Sequence, residues 1–362
     1  MQAALDAAAI MAVKQNASDD QLAQNVQSYF NANFTRPDVR NVQVSAATTP
    51  AGGGTSLSLS ATGTLQTEFL SLMGMSSLAL SVRSSAYTST DGLGCVLSLD
   101  RTASGATALQ GNSAVNLNGC SLYDNSSSPT ALSVGGSATL TALSVGVVGG
   151  VSGAASINSS NGIKTGIGRV SDPYTYDSYP TFSGCSQTNF PGKNTATIDP
   201  GVYCGGMSFN ANANVTLNPG IYYIDGGSLT LNGGAVVRGT GVTLVFTKKS
   251  GSSWPTATIN GGATLNLTPP TTGPTTGIVM FGDRNMPLGT SFRLTGGSNL
   301  YLGGAIYIPN GAISFSGGDG TSTSCTQIIG DPVSFTGNSA LAISCSSYKT
   351  KPFSAQVLKI TS

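Results

Sequence analysis

Six cysteines, ten aspartates beyond residue 90 and a few aromatic side chains are where this 362-residue chain would have to find its chemistry. The cysteines fall into three pairs, Cys95 and Cys120, Cys185 and Cys204, Cys325 and Cys345, whose members lie similar short distances apart in the chain. Six cysteines allow about 15 pairings, and sequence alone does not choose among them. Nearest-neighbour pairing is expected, because each gap matches about one turn of the repeat described below. There is no CxxC, and with no histidine in the chain nothing of that kind can activate a thiolate or complete a zinc site. The cysteines therefore predict structural disulfides and an oxidising compartment. No metal and no cofactor are expected.

The aspartates point away from catalysis. A glycosidase needs paired carboxylates ~5–10 Å apart. A lyase needs a base, often beside carboxylates that hold a cation. From Asp91 onward the acids are Asp91, Asp100, Asp124, Asp172, Asp177, Asp199, Asp225, Asp283, Asp319 and Asp331; no two are adjacent, and no glutamate follows Glu68. Asp199 and Asp225 on neighbouring turns, with Arg238 as base, come nearest to an active site. However, Asp199 precedes Pro-Gly and Asp225 precedes Gly-Gly, which are turn positions. Asp283-Arg284 reads as a turn pair. No catalytic residue is assigned, and the chain is expected not to be an enzyme.

The aromatic candidates are Tyr174, Tyr176 and Tyr179, in the irregular segment Asp172–Pro180, and Trp254, the single tryptophan, in the loop Ser252–Pro255. They either cover the scaffold or form a contact surface, and all four are candidate surface-contact residues. An exposed aromatic ladder repeated along the chain would favour glycan binding, and none is legible.

Composition narrows the class. Lysine plus arginine number 16 against 15 acids, which leaves no basic footprint for nucleic acid. Charged residues make up 9% of the chain, low for a helical cytosolic enzyme, while 39% apolar residues argue against disorder. No apolar run is long enough to cross a membrane, and Met1–Lys14 lacks a leader's basic start and cleavage site. Exported-looking chemistry without an export signal implies a chain shortened at its N-terminus.

The elements divide in two. Residues 2–15 are alanine-rich and helical in propensity. A second helix begins at Ser18, which has capping-box spacing to Gln21, and carries the apolar stripe Leu22, Val26 and Tyr29/Phe30. Asn41–Thr49 and Thr55–Leu65 alternate as strands across a turn at residues 50–54, Phe69–Met73 is a short apolar turn, and Ser77–Thr90 is a third strand. Residues 1–91 are thus an α+β module. Helix signals stop there, and residues 92–362 carry Gly-Gly and Asn-Gly pairs between short strands. Asp199-Pro200-Gly201-Val202-Tyr203-Cys204 returns shortly afterwards as Asn218-Pro219-Gly220-Ile221-Tyr222-Tyr223. A period of about 20 predicts a right-handed parallel β-helix, a solenoid whose coils share one core. A β-sandwich head is the alternative.

Two stretches carry a family resemblance. Met1-Gln2-Ala3-Ala4-Leu5-Asp6-Ala7-Ala8-Ala9-Ile10 resembles the LQxAxDAAAL-like stretch of TadE/TadG-like proteins of the Tad (Flp) pilus system. Thr67-Glu68-Phe69-Leu70-Ser71-Leu72-Met73-Gly74, followed by a strand, is similar to the family's TxFLxLxG-like segment. Asp199–Gly206 and Gly277–Arg284 look like the β-helical extensions of some members, and no DxSxS metal motif supports the von Willebrand variant. The resemblance implies a minor-pilin-like, non-enzymatic structural or adhesive component of the pilus. It implies an inner-membrane anchor through a helix not present here and a periplasmic or extracellular head, with the pilus tip as one place for it. Its implied partners are other pilins and the inner membrane; surface glycans are a separate candidate partner, and nucleic acid is not expected. The alternative is a glycan-binding or polysaccharide-degrading β-helix tethered to the cell envelope.

Overall fold

A computed structural model of the full chain describes all residues except 15–18, 52–53, 69, 250–252, 298, 319–323 and 362. Ser18 and its capping box, the centre of the 50–54 turn, Phe69, Ser252 and Asp319 lie outside the described residues. Strand residues far outnumber helical ones, 51% against 9%, as the composition predicts. The chain forms two compact units, one from Met1–Thr90 with Gln356–Ser362 and one from Asp91–Ala355.

The first unit lays two helices, α1 (Gln2–Lys14) and α2 (Asp19–Asn33), on an antiparallel sheet of β1 (Val39–Ala51), β2 (Gly54–Gln66), β3 (Ser77–Thr90) and the C-terminal strand Gln356–Thr361. Helical spacing puts Leu5, Ala8, Ala9 and Ala12 on one side of α1 and Leu22, Val26 and Phe30 on one side of α2. Both stripes are buried with Leu57, Leu59, Ala61 and Ala86 of the sheet. At the far end, the turn Leu70–Met73 is an apolar tip, with Leu72 84%, Met73 71% and Met75 56% exposed. The expectation that the head runs to Ser362 is corrected here. Residues 356–361 are rich in strand formers and pair with Ser85–Thr90, so β3 gains a partner along its open edge.

The second unit is a parallel solenoid. Every pairing between its strands is parallel, which excludes the antiparallel Greek-key sandwich among the described residues. Three faces make each coil. The first includes Gly94–Ser98, Ser121–Asp124, Val145–Val147, Ile163–Thr165, Val242–Thr247, Ile278–Gly282, Gly304–Ile308 and Thr326–Gly330. The second includes Thr107–Leu109, Leu132–Val134, Thr256–Ile259, Thr290–Gly297, Gly311–Gly317 and Val333–Phe335. The third is a four-stranded and a five-stranded sheet. Where Gly201–Phe209 and Gly220–Leu231 swing from the first face to the second, Gly206 and Gly227 take φ of +93° and +71°. A Cβ on Gly227 would lie 2.2 Å from the Gly205 carbonyl oxygen, so this Gly-Gly pair is a steric requirement of the corner.

Coils are less regular than the short repeat suggests. Tyr222 pairs with Leu244 on the next coil, but Leu244 pairs with Met280 after a much longer step along the chain, because loops leave the corners. The stacking order also departs from chain order. Thr326–Gly330 pairs with Gly94–Ser98, so the first coil sits on the last and the chain enters its own stack in the middle. One inward row, Tyr222, Leu244, Met280, Ile306, Ile328, Val96, Leu122 and Val145, continues across that junction.

The three expected disulfides form: Cys95–Cys120, Cys185–Cys204 and Cys325–Cys345, with Cα atoms 5.7, 5.7 and 4.8 Å apart. They indicate an extracellular or periplasmic location. Among the described residues no helix is long and apolar enough to cross a membrane.

Asp124 is a carboxylate within the core, where Ser98 and Thr107 are also buried. Its side chain points inward in register with Val147 and is fully buried. Oδ1 accepts the Ser126 amide at 2.8 Å, whereas Oδ2, beside Thr107, completes no hydrogen bond. Burial pushes its pKa up to about 6 from 3.8. A raised folded pKa gives stability that is fully present below 3.8 and is lost as pH rises through about 6. Asp124→Asn should therefore stabilise the protein by about 2 kcal/mol at pH 8 and by almost nothing at pH 4. Denaturant melts of both proteins at the two pH values check this, and an equal gain at both contradicts it.

Candidate functional site

Strands of the first face bury both sides. Between the inward residues stands an outward row, Val202, Tyr223, Val245, Phe281, Tyr307, Ile329, Leu97 and Tyr123, each in register with the next. All eight are buried and form a second apolar layer outside the solenoid core. An aromatic ladder therefore exists, and it is covered.

Its cover is the segment 166–186, which joins Ile163–Thr165 at one end of the stack to Gln187–Gly192 at the other. Contacts advance along the stack as the chain does. The Ile167 amide donates to the Val147 carbonyl at 3.3 Å. Asn125 clasps the Val170 backbone, receiving its amide at 2.8 Å and donating to its carbonyl at 2.9 Å. Tyr307 Oη donates to Asp172 at 2.8 Å, and Tyr174 Oη contacts Gln327 Oε1 at 3.2 Å. Tyr179 Oη donates to Asp283 at 2.7 Å. Tyr223 Oη donates to the Pro180 carbonyl at 3.0 Å, and its ring stacks on Phe182 at 4.4 Å. Cys185–Cys204 fixes the end. The tail completes the cover: the Phe353 ring meets Tyr123, and a Cβ on Gly94 would lie 2.0 Å from it.

Arg284 is the central clamp. Its guanidinium lies 5.6 Å from the Phe281 ring and 5.3 Å from the Tyr307 ring. From there it donates to the carbonyls of Tyr174 and, at 2.6 Å, of Asp177. Asp283 beside it accepts from Thr247 at 2.6 Å as well as from Tyr179. Burial opposes its charge, but hydrogen bonds from Thr247, Asn285 and Tyr179 outweigh burial and hold the carboxyl below the usual range. Burial pushes the Tyr174, Tyr179 and Tyr307 hydroxyls above their ordinary values, so they stay neutral donors.

The sequence candidates separate on this ground. Tyr174 is fully buried and Tyr179 half-buried between the strap and the coils, so both anchor the strap. Tyr176 is 96% exposed. Trp254 is half-buried against the core with Lys248 5.7 Å from its ring. Asp199, Asp225 and Arg238 are not brought together as one site. Asp225 is in register with Cys204, further along the strand from Asp199. Asp199 accepts from Asn218 at 2.7 Å, Asp225 accepts the Lys249 amide at 2.7 Å, and Arg238 contacts Asn214 on another face. Asp331 lies beside Asp100; burial first and that neighbour second push it up to about 6. Asp100 accepts the amides of Thr102 and Ala103, as a turn residue does. No group of three potential metal ligands occurs among the described residues.

Sequence reasoning missed Arg284, Tyr223, Phe281 and Tyr307. The available signal was the unbroken apolar runs Tyr222-Tyr223-Ile224 and Ile306-Tyr307-Ile308, which lack the polar alternation of a strand with one wet side.

Arg284→Ala removes two hydrogen bonds to the strap, with a third to Tyr307 Oη and two cation–π contacts to the face beneath it. Loss of about 1.5 kcal/mol of local stability should raise chymotryptic nicking after Tyr176 roughly tenfold. Unchanged cleavage would show that the strap is held without Arg284. Replacing Cys185 and Cys204 together by alanine should lower unfolding stability by about 2–4 kcal/mol. Equal thermal midpoints for parent and variant would remove the stapling role. No protein-family model, curated protein or solved structure significantly matches this chain.

Proposed function

We propose that the chain is a non-enzymatic structural or adhesive component of a Tad (Flp) pilus system, minor-pilin-like, that carries a right-handed β-helical head outward. The observation that carries this reading is the strap, which ties one end of the solenoid to the other over a sealed face. Rigidity of that kind suits a body that presents surfaces or bears load, and it leaves the aromatic ladder unavailable to a substrate. Disulfides support export, and most aspartates are occupied in turns, strap contacts or ion pairs. Helices on a sheet, with the two motif stretches, support the TadE/TadG-like reading of residues 1–90. An anchor in the inner membrane ahead of α1 belongs to the same reading. The exposed tip Leu72, Met73 and Met75 is a surface that a neighbouring pilin would cover.

A glycan-binding head is the second reading. One row of the third face favours it: Thr197, Thr216, Arg238, Asn266 and Tyr301 stand in register on successive coils, polar and outward.

Immunogold electron microscopy of piliated cells, with antibody against residues 91–355, tests the proposal. Label at fibre ends is the expected result. Label confined to the envelope beside bare pili would make this an assembly or anchoring factor and would remove the adhesive role. Label absent from both would overturn the pilus assignment.

A further inference from the structure

Three ion pairs occur among the described residues, and one differs from the others. Arg36–Asp38 and Lys351–Asp177 lie at the surface, with basic side chains 63% and 48% exposed. In the third, the Asp91 side chain is 4% exposed and Lys164 30%. Lys164 stands in register with Gly146, and Gly146 with Tyr123. The lysine chain reaches back past the glycine rung, and Nζ touches Asp91 Oδ1. The fully buried Ser144 hydroxyl donates to the other oxygen, Oδ2, at 2.5 Å.

Asp91 is held on every side. Its amide donates to the Ala355 carbonyl at 3.0 Å, and its carbonyl accepts Tyr123 Oη at 2.6 Å and Ser121 Oγ at 3.2 Å. Lys164 is held by the parallel pairing of Ile163–Thr165. An amine and a carboxyl are thus fixed in contact where water is largely excluded, the condition that gives intramolecular reactions their high effective concentrations. Ser144 supplies a donor at the oxygen where charge develops when an amine adds to the carboxyl carbon. A buried carboxylate beside a half-buried ammonium also costs desolvation, which a neutral amide in the same place avoids.

We propose that Lys164 and Asp91 join in an intramolecular isopeptide bond. The proton that Lys164 Nζ directs at Asp91 Oδ1 passes to that oxygen, and the amine so freed adds to Cγ of the resulting acid. Oδ2, bonded to Ser144, carries the developing charge and remains as the amide oxygen. Oδ1 leaves with the acid proton and one amine proton as water. Nothing is oxidised or reduced, and no co-reactant is needed. The bond closes a 73-residue loop around the coils that follow Asp91. A pull on the chain at residue 90 would then reach Lys164 directly instead of peeling those coils away.

Mass spectrometry of the full chain decides this. Expected is an intact mass one water below that of the chain with three disulfides. After reduction, alkylation and trypsin, a branched product should join residues 84–101 to 102–169, uncut after Lys164. Lys164→Arg keeps the ion pair and should restore the full mass. A mass with no water lost overturns the proposal. So does a loss of water without the branched product, because Asp91-Gly92 can close on its own backbone to a succinimide; Lys164→Arg would retain that loss.

Discussion

The junction between the last coil and the first determines most of what the second unit looks like. Ile328, Ile329 and Gly330 pair in parallel with Val96, Leu97 and Ser98, although the two strands come from opposite ends of the unit's sequence. Because the chain enters the stack in the middle, it builds outward to one end at Ile163–Thr165 and must then begin again at the other. Eleven strands of the first face lie in that order, ten gaps of about 4.8 Å or roughly 48 Å in all. Residues 166–186 reach at most about 70 Å when extended. The connection therefore spends about two thirds of its reach on the crossing and runs along one face.

A chain in that position cannot form its own secondary structure, so its backbone groups need partners from the coils. Asn125 serves Val170, Arg284 serves Tyr174 and Asp177, Tyr223 serves Pro180, and Lys249 serves Phe182. The outward apolar row follows from the same constraint. Ordering the strap costs on the order of 1–2 kcal/mol of backbone entropy for each residue fixed. Polar contacts alone, about 1 kcal/mol each, do not offset that. Burial of the outward apolar row, Tyr223, Phe281 and Tyr307 among it, adds to those contacts.

Much of this was legible and some was not, for physical reasons. Period-3.6 and period-2 patterns are local, so α1, α2 and the three strands of the first unit could be read within a few residues. Turn chemistry is local too, and the Asp-Pro-Gly and Asn-Pro-Gly turns do stack, with Asn218 donating to Asp199 from one repeat to the next. The cysteine spacings match the disulfides for the same reason. Stacking order is not local: nothing near Val96 announces that its neighbour is Ile328. The strap's tyrosines could not be sorted for that reason. Tyr174 and Tyr176 lie close together in one irregular segment, yet one is fully buried and the other 96% exposed. Which side faces the coils depends on where Tyr307 and Gln327 arrive, and that is set by the junction.

The ends of the stack limit what the solenoid can become. A parallel coil with an open edge is a template for another copy, and growth would give a fibre. Gln187–Gly192 blunts that edge with a bulge between Thr188 and Phe190, a positive φ at Asn189 and Pro191, which offers no amide. At the opposite end the strands Val151–Ser152, Ile157–Ser159 and Ile163–Thr165 are very short, too short to pair well with a further coil. Both ends still leave inward apolar residues half-buried, Phe190 and Ile198 at one and Ile157 and Ile163 at the other, so the blunting acts on the backbone and not on the core. A repeat that ends in this way behaves as a finite body of fixed length. That suits a head borne by an assembly and does not suit a subunit that extends one by coil stacking.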